Sequence, residues 1–493
     1  MTGNVYRLFT PFLLTPRGLE QHILWLFVFL LIMNVIHLIQ QRRQDLLVPV
    51  IIHGLGGMAA VLAGNLIILL ISWEVLSFSA FSLLWLNKEN RARRAAVQYL
   101  LMQVGSAVFF FIAIAIHVQN GGTYTLEILH PSSQPFLLIA VAMKTASVPL
   151  HFWLTDAYST AMPVIAPFLT GFATKVGVIT AFRLTLPELW GFPALAALGG
   201  VTAVVGVFLA LQQTQARKLL SFHIVSQVGY MSAALGMGAG TAGLYHLVTH
   251  TLYKSLLFFV ALEAARHFGH EDMKKMGDLG KKRPWLALAG ILGAAAISGV
   301  PFTSGFASKE VIKMGLYGTF PYTMLWIASV GTGLSFIKFV YLIFFRKANG
   351  GAIDRNTQVQ TPESGQSVHI PILLTSLATL FLGLFPGFVP NLPRESFWNW
   401  DSLIKATYPL GGSIIGWIVF RTYLVNRRES HPLWKSDFQT RVLASWFWAE
   451  RKLTRLHNHG PRFQVVLMLT TFLVLLWLGI LMLGRPVPGG YPG

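Results

Sequence analysis

Apolar stretches recur along almost the whole chain, and short polar segments separate them. Most stretches are close to the length of about twenty residues that an α-helix needs to cross the hydrocarbon core of a bilayer. The pattern predicts an all-α membrane protein with about fourteen transmembrane helices. The predicted helices cover residues 21–40, 47–64, 65–86, 93–118, 133–155, 160–184, 192–212, 216–237, 240–268, 285–318, 321–346, 369–388, 409–425 and 463–484.

Composition agrees with this interpretation. Of the 493 residues, 54% are hydrophobic and 12% are charged, whereas a soluble domain is about one-quarter charged. The chain has no cysteine, which excludes cysteine-ligated iron–sulfur clusters and disulfides from it. It also has no phosphate-binding glycine loop, nucleophile elbow or zinc-ligand spacing, so the sequence predicts no cofactor, no metal and no catalytic residue of its own.

The positive charge lies in alternate loops. The formal net charge is +19, but the basic residues follow predicted helices 1, 3, 7, 9 and 11, whereas the loops after helices 2, 4, 6 and 8 carry none. This placement is typical of a membrane protein and not of a nucleic-acid-binding protein. By the positive-inside rule, the basic loops face the cytoplasm and both termini lie on the opposite side of a multi-pass cell (inner or plasma) membrane protein.

Two predicted helices are interrupted. Lys144 precedes Pro149 in helix 133–155, and Gly299 and Pro301 precede Lys309 in helix 285–318. Proline removes a backbone donor, and freed backbone groups at membrane depth are tolerated only where they meet protein or water. Discontinuous helices also form ion sites in transporters. A simple proline kink is the competing interpretation.

The order of the helices predicts a repeat. Residues 47–184 and 192–346 each hold five helices, with the interrupted helix fourth, so the second group enters the membrane from the opposite face, as in an inverted repeat. Residues 1–46 form an N-terminal segment with the first helix, and 347–429 hold additional transmembrane helices. Residues 430–493 contain an amphipathic segment that predicts a lateral helix at the membrane interface, followed by a final transmembrane helix.

Five ionisable residues lie inside the apolar stretches: Glu74, Lys144, Lys175, His250 and Lys309. A charge at the centre of a bilayer costs at least about 2.5–3.5 kcal/mol. A lysine near a movable carboxylate can gain and lose a proton as its partner moves. These residues therefore predict a path for protons or small cations.

Histidines extend this path. His246, His250 and Lys254 are spaced by four residues and share one helix face. Histidine titrates close to neutral pH and can pass protons. The alternatives are that His223 and His246 only join neighbouring helices by hydrogen bonds, or that His223 and His250 bracket a haem.

The motifs that carry these residues resemble those of the antiporter-like membrane subunits of respiratory complex I, Mrp-type cation/proton antiporters and membrane-bound hydrogenases. The matching motifs are Trp73-Glu74; Lys144 with Trp153-Leu154-Thr155-Asp156-Ala157; Thr174-Lys175-Val176-Gly177 with Arg183; Arg217-Lys218-Leu219-Leu220-Ser221-Phe222 with Ser226-Gln227-Val228-Gly229-Tyr230; His246 to Lys254; and Pro301 to Glu310.

The resemblance implies a role for each buried charge. Glu74 and Lys144 resemble the coupling pair, Lys175 and His250 the central connecting residues, and Lys309 the terminal residue that exchanges with the far side. The chain departs from the family in two places. About two helices are missing ahead of Glu74, and the lateral helix is shorter than that of complex I.

The resemblance implies a proton- or sodium-translocating subunit of a larger membrane complex, driven by partner subunits. The other subunits, the lipid bilayer and the transported ions are its expected partners. Three alternatives remain: a proton-conducting subunit of a bicarbonate or inorganic-carbon uptake system, a structural subunit that moves no ions, and an oxidoreductase that binds haem or quinone. Whether the parent complex is an NADH/quinone or hydrogenase-type enzyme stays open.

Overall fold

The computed structural model describes residues 18–185, 191–347, 369–388 and 400–425. These residues form helices and no β-strand; their β pairing is limited to two isolated bridges. The helices are α1 Leu19–Gln40, α2 Leu47–Leu62, α3 Leu66–Trp85, α4 Asn90–Gln119, α5 Gln134–Lys144, α6 Phe152–Thr160, α7 Ala166–Leu169, α8 Ala173–Leu184, α9 Gly191–Leu211, α10 Ala216–Gly236, α11 Gly240–Phe268, α12 Leu279–Lys282, α13 Pro284–Ser298, α14 Ser304–Leu316, α15 Phe320–Val340, α16 His369–Leu384 and α17 Trp400–Val425. Short 3₁₀ or π turns cover Gln44–Leu46, Pro131–Ser133, Pro163–Ile165, Met273–Lys275, Tyr341–Phe345 and Pro386–Phe388.

The all-α membrane fold is confirmed. Among the described residues, nine helical segments are long and apolar enough to cross a membrane, and α13 and α16 are shorter apolar helices. The total of fourteen spans stays a prediction. The predicted final helix 463–484 and the amphipathic segment both lie outside the described residues.

Both interruptions expected from the sequence are breaks and not kinks. Residues 145–151 separate α5 from α6, and residues 299–303 separate α13 from α14. A third break lies inside the stretch 160–184, which the sequence predicts as one helix. There the α-helix is interrupted by a turn at residues 170–172, centred on Gly171, between α7 and α8.

Helix α11 occupies the centre of the bundle. It is enclosed along its apolar length by other helices, and it packs against α10, α13, α14 and α16. A helix that is surrounded on all sides by protein can carry polar residues away from lipid, since only its neighbours have to satisfy them. This location explains how the apolar part of α11 accommodates His246, His250 and Lys254.

Polar contacts tie together the loops at one end of the bundle, which we call the basic end. Arg217 forms an ion pair with Glu271 and donates a hydrogen bond to the carbonyl oxygen of Ala161. The buried carboxylate of Glu263 accepts from both Arg266 and Arg283 at 3.1 Å. These contacts join the loop before α7, the start of α10 and the loop after α11, and the last two carry basic residues.

We expect Gly305→Ala to destabilise the break between α13 and α14. A Cβ atom at this position would overlap the backbone carbonyl of Ala296, which cannot move aside as a flexible side chain would. Overpacking of this kind costs about 1–3 kcal/mol. Thermal unfolding of the purified protein measures the effect. Gly411→Ala is the matched control, because a Cβ atom there meets open space; equal melting temperatures for the two variants would contradict the prediction.

Candidate functional site

Lys144 is the last residue of α5, immediately before the first break. Its side chain is fully buried. Its Nζ donates to the carbonyl oxygen of Trp73 and to the Oγ of Ser77, both at 3.2 Å, and lies 4.9 Å from the centre of the Trp73 ring. The ammonium is therefore held by a carbonyl dipole, a hydroxyl and an aromatic face, and these neutral groups compensate its charge only in part.

Glu74 faces away from this contact. It is half-buried and lines a groove of about 670 Å³ between α2 and α3, on the outside of the described bundle. Both Glu74 and Lys144 are described, and they form no salt bridge, although they interact electrostatically. One carboxylate oxygen of Glu74 is buried without a hydrogen-bond partner among the described residues. The two side chains of the predicted coupling pair are therefore not in direct contact.

Lys175 lies in the first turn of α8, directly after the third break. Its Nζ donates to the carbonyl oxygen of Thr170 at 2.6 Å and to the Oγ1 of Thr174 at 3.3 Å, and the residue is fully buried. The break frees the carbonyl that binds the lysine. This contact gives a physical reason for the interruption that the sequence did not predict.

His246 is part of a hydrogen-bonded cluster that joins three helices. Its Nδ1 lies 2.9 Å from the Oγ of Ser308 on α14, and its Nε2 lies 3.2 Å from the Oε1 of Gln227 on α10. Gln227 also accepts from the hydroxyl of Tyr253 at 3.4 Å. Sequence analysis named Gln227 only within the family motif Ser226 to Tyr230 and assigned it no role.

His250 and Lys254 follow on the same face of α11, and both are fully buried. The rings of His246 and His250 are stacked with their centres 6.1 Å apart. Neither ring nitrogen of His250 nor the Nζ of Lys254 has a hydrogen-bond partner in the described part of the chain. Lys175, Lys254 and Lys309 all interact electrostatically with His250. His246, His250 and Lys254 therefore lie together on one buried face of α11.

Lys309 lies one turn beyond the start of α14 and is buried. Its Nζ donates to the carbonyl oxygen of Ile297 at 2.5 Å, near the end of α13, and lies 5.0 Å from the centre of the Tyr230 ring. The C-terminal end of a helix carries partial negative charge and favours a cation. The ion pair of Glu310 with Lys313, at 2.7 Å, follows on the same helix.

His223 has a different set of contacts. Its Nε2 lies 2.8 Å from the Oγ of Ser335, and its ring packs on Phe336, so it joins α10 to α15. Lys254 and Lys309 interact with it electrostatically. These contacts match the structural alternative considered for this histidine.

Three of the buried lysines have the same local surroundings. Lys144, Lys175 and Lys309 each lie beside a break and bind a backbone carbonyl. Carbonyl dipoles hold a proton on a lysine less strongly than a paired carboxylate would. Like charges in a poorly polarisable interior repel one another, so protonation of one lysine disfavours protonation of the next. Such a line can pass a proton along its length.

A polytopic membrane protein with broken helices and a buried line of lysines and histidines belongs to a restricted class. Residues 63–335, more than half of the chain, match the model of the NADH:quinone oxidoreductase/Mrp antiporter transmembrane family. The chain belongs to this family.

The relatives include both cation/proton antiporter subunits and NADH-quinone oxidoreductase subunits. The chain is 29% identical over 354 residues to a Na⁺/H⁺ antiporter subunit of Alkalihalophilus pseudofirmus, with 68% of this chain and 71% of that protein covered. It is 31% identical over 309 residues to an NADH-quinone oxidoreductase subunit of Pseudomonas aeruginosa, with 58% and 49% covered. The solved Mrp complex from Dietzia sp. has the same fold, with a TM-score of 0.66 at 21% identity over 90% of this chain and 52% of that chain.

The lengths of the relatives differ from that of this chain. This chain spans 56% of an NADH-quinone oxidoreductase subunit of Rickettsia felis, at 25% identity. It spans 46% of a probable K⁺/H⁺ antiporter subunit of Rhizobium meliloti, at 26% identity. The shared part is the antiporter-like membrane core. Several of these relatives are named as subunits.

Proposed function

We propose that this chain translocates protons, or exchanges sodium ions for them, through a buried relay of Glu74, Lys144, Lys175, His250 and Lys309. His246 and Lys254 complete the relay. The observation that carries the proposal is that α8 with Lys175 and α14 with Lys309 both pack against α11, which buries His250 and Lys254 deep in the bundle. A structural subunit would have no need to bear the cost of burying several cations.

The driving force is proposed to come from partner subunits in a larger membrane complex of the plasma membrane. The groove that exposes Glu74 supports this view, because a carboxylate at the outer edge of the bundle can respond to a change in a neighbouring subunit. We further propose fourteen transmembrane helices in two inverted five-helix repeats, at 47–184 and 192–346, with both termini on the non-cytoplasmic side. Residues 1–46, 347–429 and 430–493 flank the repeats, and the lateral helix within 430–493 would brace the neighbouring subunit.

Inorganic-carbon uptake is the second candidate. Such a system would also conduct protons, but it would couple them to a reaction on a solute. We expect Glu74 and Lys175 to be replaced in relatives of that kind, and both are present here.

We expect Glu74→Gln to slow ion translocation about tenfold without abolishing it, because Glu74 acts on Lys144 through space and not by direct contact. The measurement is proton or sodium flux into vesicles that hold the assembled complex. Glu89→Gln removes the same charge from an exposed loop position and is the control. Absence of flux in the wild-type complex would refute the proposed function, and equal flux in Glu74→Gln and wild type would remove Glu74 from the relay.

A further inference from the structure

A cavity of about 450 Å³ lies between α1, α11 and α16, and none of the proposed relay residues lines it. Its mouth opens on the outer face of the bundle, where the lining residues Trp25, Phe381 and Phe388 are 62%, 44% and 59% exposed. Its floor is formed by Val248 and Leu252 of α11, each only 4% exposed. The cavity therefore leads from the membrane-facing surface to the central helix.

The floor of the cavity lies on the side of α11 that faces away from the relay. Val248 and Leu252 are each two residues from His250. Successive residues of an α-helix are about 100° apart, so these two side chains point roughly 200° away from His250 around the helix axis. A molecule in the cavity therefore packs against the back of α11 without meeting its buried cations.

The lining and the size of the cavity define what fits in it. All of its lining residues except Gln21 and His22 are aliphatic or aromatic. Cavities with apolar walls stay dry and bind apolar molecules. One turn of an α-helix is about 10 Å wide and 5.4 Å long and fills roughly 400 Å³, so a partner helix would fit for no more than about one turn. A slender hydrocarbon chain fits better than either water or a helix.

The polar part of the lining lies at the start of α1. Gln21 and His22 are in its first turn, and Trp25 follows one turn later. The Nδ1 of His22 lies 3.0 Å from the carbonyl oxygen of Gly18. A carbonyl can only accept, so Nδ1 carries a proton, and the Nε2 of the neutral ring is left as an acceptor. Tryptophan next to polar residues at a helix end is typical of the membrane–water interface.

We infer that this cavity holds one acyl chain of a bilayer phospholipid, with the headgroup at Gln21 and His22 and the hydrocarbon against Val248 and Leu252. The bilayer surrounds the mouth and supplies such chains. The lining of α1 from Gln21 to Phe29 extends over about 12 Å, close to half of the hydrocarbon core of about 30 Å. The inference does not rest on the proposed function, because it concerns an apolar cavity outside the ion path.

Photolabelling tests the inference on the wild-type protein in membranes. The probe is a phospholipid with a diazirine midway along one acyl chain; on illumination it forms a carbene that inserts into neighbouring C–H bonds. Ile32 of α1 is 49% exposed and should be labelled by any surrounding lipid. Leu256 is the negative control, because it lies one turn beyond Leu252, is fully buried and does not line the cavity. Val248 and Leu252 should be labelled at least about tenfold more strongly than Leu256.

Two results of this labelling would overturn the inference. Absence of label from Val248 and Leu252, with Ile32 labelled, would show that no acyl chain enters the cavity. Equal labelling of Leu256 and Leu252 would show that lipid reaches α11 by opening of the bundle and not through the cavity. Because both results come from the wild-type chain, the test does not require that any variant assembles.

A substitution that fills the cavity adds a second test. Ala378→Phe places an aromatic ring among the lining residues of α16 and should lower the labelling of Val248 about tenfold, with that of Ile32 unchanged. Leu377→Phe is the matched control, because Leu377 is the next residue, is 53% exposed and does not line the cavity. Equal labelling of Val248 in the two variants would contradict the inference.

Competition identifies the class of the occupant. Excess unlabelled phospholipid should suppress the labelling of Val248 and Leu252. An isoprenoid quinone is another long apolar molecule of membranes. If unlabelled quinone suppresses the labelling and unlabelled phospholipid does not, the cavity is a quinone site and the acyl-chain inference is overturned.

Discussion

Lys144→Ala should abolish ion translocation, lowering flux at least about a hundredfold, while the complex still assembles. Lys144 provides the amine at the first break, and its Nζ contacts a carbonyl, a hydroxyl and an indole ring. Neither Ser77 nor the Trp73 carbonyl can take over a proton from it. The fold tolerates the change, because removal of a buried cation also removes the cost of its dehydration.

The measurement is proton or sodium flux into vesicles, with the amount of assembled complex determined on the same membranes. Lys88→Ala is the control, since Lys88 lies in the loop before α4, outside the buried line. Wild-type flux in Lys144→Ala would exclude this lysine from the relay. Loss of the complex itself would show that Lys144 is needed for packing.

Lys309→Arg should impair transport as strongly as Lys309→Ala, although it keeps the positive charge. A guanidinium stays protonated under all physiological conditions, whereas an amine can release its proton. The Nζ of Lys309 donates to a single carbonyl oxygen, that of Ile297. One such contact suits an amine that releases its proton, whereas a guanidinium has several donors in a fixed arrangement. We expect flux to fall about a hundredfold in both variants.

The same vesicle assay applies, with Lys281→Arg as the control, because Lys281 is 83% exposed at the basic end. If Lys309→Arg carries flux at the wild-type rate and Lys309→Ala does not, Lys309 is a fixed charge that shapes the field. In that case the exchange with the far side occurs at another group.

The helical fold could be predicted from hydropathy because an apolar run of bilayer length has few alternatives. The break at 299–303 was also predictable, since Gly299 and Pro301 interrupt a run that is too long for one crossing. The break at residues 170–172 was not. Pro167 and Gly171 are its local signals, but they do not show why the chain breaks there, which is understood once the Thr170 carbonyl is seen to bind Lys175.

The charged members of the candidate site were predictable for a similar reason: a lysine in a membrane helix is conspicuous. Their mutual arrangement was not. The family resemblance paired Glu74 with Lys144 but could not show that Glu74 faces an outer groove, because that depends on how α2 packs against α3. A neutral polar residue such as Gln227 appears in the sequence only as part of a motif, since its role depends on the partners that the fold brings to it.

The most direct test of the relay is proton flux in vesicles that hold the complex with Lys175→Met. Lys175 lies between the two ends of the line, is fully buried and interacts electrostatically with His250. Methionine keeps the apolar length of the side chain and removes the proton carrier. If the relay runs through the centre of the bundle, flux should fall about a hundredfold in an intact complex that still contains Lys144 and Lys309. Flux at the wild-type rate in Lys175→Met would contradict a continuous buried path and, with it, the account of this chain as an ion-translocating subunit.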